Sequence, residues 1–220
     1  MQGRTNRKKE QGFTALEMMV VIAVVVLLAV LVLPSMTRTN RRSPRINCVS
    51  NLKQIAVGFR IWSNDHDDKF PWQVSMANTG TLELVNGPSV SPHCLIASNE
   101  LYSPKILVCP SDSKRAKVIA WPEFDDKRLS YFIGLNADET KPQAILSGDR
   151  NITGGVRVTN RVFQFTNNSV VGFTKDLHNQ QGNIALGDGS AMQVSRSALG
   201  NQINAALLSP DQPALRLAIP

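Results

Sequence analysis

The sequence is poor in the side chains that usually mark chemistry. It has three cysteines, three histidines and only 6% aromatic residues. So few cysteines, in an odd number, exclude a small scaffold held by many disulfides and allow at most one internal pair. Cys94, Cys109 and His93 lack the compact paired spacing of a zinc site. A phosphate-binding loop, a nucleophile elbow and a zinc-protease motif are all absent, so no pattern marks a nucleotide enzyme or a hydrolase. The net charge is +7, but no groove-reading motif or basic-aromatic platform accompanies it. Loss of residues 1–12, which carry four positive charges and one negative, would lower it to +4. Specific nucleic-acid binding is therefore not expected.

Long hydrophobic runs are missing too, with one exception. Residues 18–33 are sixteen apolar residues without a break, and only Thr14 and Glu17 interrupt the stretch from Phe13. As a helix, residues 13–33 would be about 31 Å long, enough for a hydrocarbon core of roughly 30 Å. Lipid forces a backbone to bond internally, which overrides the weak helix preference of the many valines. Glu17 is then anomalous, because an ionised carboxylate in hydrocarbon is costly and survives by pairing or by serving a function. A shallow position near the headgroups would be the alternative. Arg4, Arg7, Lys8 and Lys9 precede the run, but it is too long for a secretory signal and LPSM, residues 33–36, does not read as a cleavage site. Arg38, Arg41, Arg42 and Arg45 follow it, so charge bias sets no orientation. Those four arginines are candidates to meet anionic lipid or neighbouring subunits.

The stretch GFTALEMMV, residues 12–20, resembles the leader junction of the type IV pilin and type II secretion pseudopilin family: Gly, then Phe, Thr, a variable pair, Glu and an apolar helix. Ala15 stands where Leu is commoner. The resemblance implies that a prepilin peptidase cuts after Gly12 and that the new amino terminus at Phe13 is N-methylated. It implies that Glu17 neutralises this amine, within one chain or between neighbours, during filament assembly. It further implies a bacterial inner-membrane protein with a cytoplasmic amino terminus and a periplasmic head, working with other pilin-like subunits and an inner-membrane assembly platform. CVSNLKQIAVGFRIWSNDHDDKFPW, residues 48–72, and YFIGLNADETKPQAILSGDRNIT, residues 131–153, are similar to a bacterial subgroup of such proteins. His178, with Asp188 and Gly189 beyond nine intervening residues, resembles its terminal signature.

The expected fold class is α+β and pilin-like, a long amino-terminal helix packed on a small antiparallel sheet. Residues 1–12 read as leader, 13–34 as membrane and filament-core helix, 35–62 as linker and exported helix extension, 63–209 as head and 210–220 as a loose tail. Pro34 and Pro44 suggest breaks, with a helix resuming near Arg45. Its apolar residues Ile46, Val49, Leu52, Ile55, Ala56 and Phe59 recur at threes and fours. Residues 76–110 read as loop-rich. Short apolar stretches at 128–134, 144–148, 155–158, 170–173 and 183–186 read as strands, the last turning through GDGS, residues 187–190, into 191–194. A helix over about 196–208 follows.

Three groups of residues are candidate sites. In an oxidising exported setting, Cys94 and Cys109 would close a short loop, leaving Cys48 buried or reduced. Asp65, His66, Asp67 and Asp68 could offer ligands to calcium, but they fall short of a recognised calcium loop and also suit a solvated turn. Asp149, His178 and Asp188, with Arg150, could organise loops, hold calcium or another ligand, or catalyse; no catalytic motif accompanies them, and no other cofactor is expected. The leading reading is a structural filament subunit and not an enzyme. An anchored exported binding domain and a metal-dependent exported enzyme are the alternatives.

Overall fold

The first element follows from the long run of helix-compatible residues. In the computed structural model, which describes residues 14–207 and 213–220 and omits the side chains of residues 31–43, α1 spans Ala15–Asn64. The expected breaks at Pro34 and Pro44 do not divide this helix, although the chain has two compact units, Met1–Ser43 and Pro44–Pro220, with their boundary in sequence at the second proline. Each unit is described by itself.

In the first unit, the large apolar side chains from Leu16 to Val30 are 49% to 75% exposed. Residues 15–30 make about 24 Å of helix. Among the described residues no helix is long and apolar enough to cross a membrane. Phe13 and the side chains of residues 31–33, which lengthen the run in the sequence, lie outside the described residues.

In the second unit the expected stripe is buried from Leu52 onward, through Ile55, Ala56, Phe59 and Trp62, and Cys48 faces the core with them, whereas Ile46 is exposed and Val49 half-buried. A loop-rich segment follows, with two short helices, α2 (Pro92–Leu95) and α3 (Ser98–Leu101). Among the described residues nine strands come next: β1 (Tyr131–Gly134), β2 (Ile145–Asp149), β3 (Ile152–Thr153), β4 (Val156–Arg157), β5 (Val162–Phe165), β6 (Gly172–Phe173), β7 (Gly182–Leu186), β8 (Ala191–Val194) and β9 (Leu215–Ala218). Helix α4 (Arg196–Ala206) lies between the last two. The main sheet has the order β4-β5-β9-β1-β2-β7-β8, and every pairing in it is antiparallel. β3 and β6 pair separately.

Strand alternation assigns the two faces of the sheet. Tyr131, Ile133, Leu146, Ala185 and Ala218 join the α1 stripe in one core, while Phe132, Ile145, Ile184, Leu186, Leu215 and Leu217 pack with Leu199 and Ile203 of α4 in the other. Because both faces are covered, every position of strands β1, β2 and β7 is buried, polar Asp149 and Asn183 included. Burying one large apolar side chain contributes roughly 1.5–3 kcal/mol, so α1 is a principal support of the head.

The carboxy-terminal segment corrects the expected loose tail. Residues 215–218 form β9, which sits between β5 and β1 near the middle of the sheet. Leu215, Leu217 and Ala218 are buried there. The physical reason is a period-two pattern, Leu-Arg-Leu, with Arg216 less buried between the two leucines.

Candidate functional site

The amino-terminal site is built by a helix cap. Thr14 precedes α1, and Glu17 follows at the third helical position. The backbone N–H and the hydroxyl of Thr14 each donate to Glu17 Oε2 at 2.8 Å, and Glu17 N–H donates back to Thr14 Oγ1 at 3.3 Å. This reciprocal capping box satisfies donors that the first helical turn would leave open. Glu17 thus has a local task that the sequence reading missed, and the Thr-x-x-Glu spacing was its signal. Gly12 and Phe13 lie outside the described residues.

The second site lies where α1, β2 and β7 meet. Asp149 ends β2 and is fully buried. Its Oδ2 accepts from Asn183 N–H at 2.8 Å and from Asn183 Nδ2 at 2.9 Å, whereas Oδ1 has no hydrogen-bond partner among the described residues. His178 Nε2 stands 3.5 Å from that Oδ2 and 3.5 Å from Cys109 Sγ. His178, Asn179 and Gln180 all have positive φ, a left-handed run that turns the imidazole inward. Asn151 fixes the approach to it by donating to the carbonyls of Thr174 and Leu177 at 3.0 and 3.1 Å.

Arg45, near the start of the second unit, completes the frame. Its guanidinium donates to Gln181 Oε1, to Gly182 O at 3.2 Å and to Asn183 Oδ1 at 3.3 Å. Arg45, one of the four arginines expected near anionic lipid or neighbouring subunits, is thus engaged with the head. The side chains of Arg38, Arg41 and Arg42 lie outside the described residues. Arg150 turns away from Asp149 and makes a two-pronged ion pair with buried Asp112, both contacts at 2.7 Å. Burial works against the Asp112 carboxylate, but the Arg150 bonds outweigh it and hold its pKa below the usual range.

Electrostatics at the centre are set by burial. Desolvation raises the Asp149 pKa to about 7 against the Asn183 hydrogen bonds and the Arg45 charge, and it lowers His178 to about 4, helped by Arg45. The pair therefore carries a neutral imidazole at neutral pH. The two side chains are 2% and 0% exposed, so a substrate has no access to them in this conformation.

Asp188 is not part of this group. It lies in the turn beyond the other end of β7, whose stretch from Asn183 to Leu186 is about 10 Å long. There its Oδ1 accepts from Ser190 N–H at 2.8 Å in a turn completed by Gly189 at φ 85°. The expected grouping of Asp149, His178 and Asp188 is thus divided into a buried pair and a hairpin turn. In the acidic turn at 65–68, His66 reaches Trp62 O at 2.8 Å and Thr79 Oγ1 at 2.9 Å.

The disulfide differs from the one expected. Cys48 pairs with Cys109 and Cys94 is free. Cys48 sits on the buried stripe of α1, and Asn51, almost one turn further on, donates to Val108 O at 3.3 Å, docking the Cys109 segment against that stripe. Closeness in sequence had favoured Cys94, whereas tertiary packing brings Cys48. Cys94 is enclosed in the core, where burial pushes its thiol pKa up. Cys48, Cys109 and His178 also form the one group of three His, Cys, Asp or Glu ligand atoms among the described residues that lies within 4.8 Å of one another. Sequence reasoning had not singled out Cys48, Arg45, Asn151 or Asn183 for this site; only Cys48 carried a signal, its place on the stripe.

The chain is 27% identical over 85 residues to ComG operon protein 3 homolog of Bacillus licheniformis, covering 37% of this chain and 88% of that protein. It is 31% identical over 86 residues to type II secretion system core protein G of Klebsiella pneumoniae, covering 39% of this chain and 58% of that protein. No family model and no solved structure matches. Together the two relatives support reading this chain as a pilin-like, pseudopilin-type protein.

Proposed function

We propose that the chain is a subunit of a pilin-like filament, processed by a prepilin peptidase after Gly12 and assembled through the apolar part of α1. The observation that carries this reading is the exposure of that helix on all sides. Side chains from Leu16 to Val30 present apolar surface around the whole circumference. A helix of this kind needs lipid or like helices around it. The inner membrane would cover it before assembly, with the head in the periplasm and an assembly platform drawing it out; neighbouring subunits would cover it afterwards.

Glu17 gains its assembly role in the same account. Its carboxylate already lies at the amino end of the helix, where a positive dipole end favours an anion. Cutting after Gly12 would add a cationic amine at Phe13, next to Thr14, and give the carboxylate a counter-charge. A head sealed around Asp149 and His178 is consistent with a structural subunit.

Glu17→Gln tests this. The amide keeps an oxygen acceptor for the Thr14 cap but removes the charge. In cells with the assembly machinery, wild type should enter sheared filaments, while Glu17→Gln and Glu17→Val should be cut and remain in the membrane. Either variant in filaments at the wild-type level would refute the ion-pair role. Wild type confined to the membrane would refute the subunit reading and favour an anchored domain.

A further inference from the structure

The geometry points to a metal centre in the reduced protein, formed by Cys48, Cys109, His178 and Asp149 and suited to Zn2+. In a tetrahedral zinc site with ordinary bond lengths, a nitrogen ligand lies about 3.5 Å from a thiolate sulfur and about 3.4 Å from a carboxylate oxygen. His178 Nε2 is 3.5 Å from Cys109 Sγ and 3.5 Å from Asp149 Oδ2, so two edges of the tetrahedron already have their proper length. The sulfur atom of Cys48 completes a group within 4.8 Å. Two sulfurs on one zinc stand about 3.8 Å apart. Breaking the disulfide allows that separation by side-chain rotation, with the two Cα atoms 5.3 Å apart. Asp149 must move closer to the sulfurs, and its second oxygen is not held by a hydrogen bond.

Charge and surroundings suit such a centre. Two thiolates, one carboxylate and Zn2+ sum to a single negative charge, which the Arg45 guanidinium beside Asn183 offsets. Asn183 supplies two N–H groups to Asp149 and would orient it as an outer-shell partner. Formation balances simply. An external dithiol reductant gives two electrons and two protons to the S–S bond and becomes a disulfide. Zn2+ then binds the two sulfurs and the carboxylate, and the two thiol protons, with that of Asp149 where it is protonated, pass to solvent. The same junction between α1, the segment before Asp112 and the His178 loop would be joined by a covalent bond when oxidised and by zinc when reduced.

Cobalt provides the test, using the full chain in detergent micelles, reduced with a dithiol, desalted without oxygen and titrated with Co2+. One equivalent should produce thiolate-to-cobalt charge transfer and the visible bands of four-coordinate cobalt, and Zn2+ should bleach both. The oxidised chain should give neither. Cys94→Ser should behave as wild type, whereas Cys48→Ser and Cys109→Ser should lose the bands. Loss of an outer-shell partner weakens metal binding about 10–100-fold, so Asp149→Asn should weaken it at least that much and His178→Ala more. Where reduction disturbs the fold, recovery of native tryptophan emission on adding Zn2+ to wild type but not to His178→Ala supports the site. No bands and no recovery in reduced wild type, bands that require Cys94, or unchanged affinity in His178→Ala or Asp149→Asn would overturn it.

Discussion

Breaking the Cys48–Cys109 bond should destabilise the head by a predictable amount. The two cysteines are 61 residues apart, and cross-linking a loop of that length removes unfolded-state entropy equivalent to about 4 kcal/mol at 25 °C. The second unit, Pro44–Pro220, has roughly 177 residues and an unfolding entropy of about 0.37 kcal/mol/K at the specific value of roughly 2.1 cal/mol/K per residue. The ratio is a fall in Tm of about 11 °C. All three tryptophans, Trp62, Trp72 and Trp121, lie in this unit, so their fluorescence reports on the head and not on the apolar helix. Full-length chain in micelles, with a chelator to exclude metal, should show this drop on reduction and in the Cys48→Ser/Cys109→Ser double variant. Reduction should then have no further effect on the double variant. A drop below about 3 °C, or peptide mapping that links Cys94 to Cys109, would refute the reasoning.

Asp149→Asn should change the pH dependence of stability. Burial holds the folded Asp149 pKa at about 7, above its ordinary 3.8, so its ionisation removes stability as pH rises from about 4 to 7, by up to about 4 kcal/mol. His178 and His93, both lowered to about 4 in the fold, act in the opposite sense between pH 4 and 6.5. With the Asp149 contribution gone, the variant should gain stability more steeply than wild type across this window, and parallel denaturation profiles would refute the assignment. Leu217→Ala, at a fully buried position in β9, should cost about 2–5 kcal/mol. A change within about 0.5 kcal/mol, as for an exposed site, would restore the loose tail.

Local periodicity made much of this architecture legible. The α1 stripe from Leu52 to Phe59, the strands around Tyr131–Gly134 and Gly182–Leu186, the GDGS hairpin and the start of α4 at Arg196 all follow from spacing and turn chemistry. Strand β5 and the short β3 went unseen, the latter because two residues carry too little pattern. β9 was missed because the prolines around it suggested a loose end, although Leu215 and Leu217 alternate. At the site, the terminal signature directed attention to His178 and Asp188, but a shared signature does not require shared space. The strand between them separates the two, and the partners of His178 come from α1, β2 and the 104–109 segment. Such long-range meetings, above all Cys48 with Cys109 and Arg45 with Asn183, depend on packing for which local spacing gives no measure.

The most direct test of the filament account is intact-mass analysis of the chain recovered from sheared filaments of cells that carry a prepilin peptidase. A chain that begins at N-methylated Phe13, in filaments at a level comparable to other pilin-like subunits, is the expected result. A chain found only in membranes and still beginning at Met1 would contradict both the cut after Gly12 and the assembly role of the exposed apolar helix.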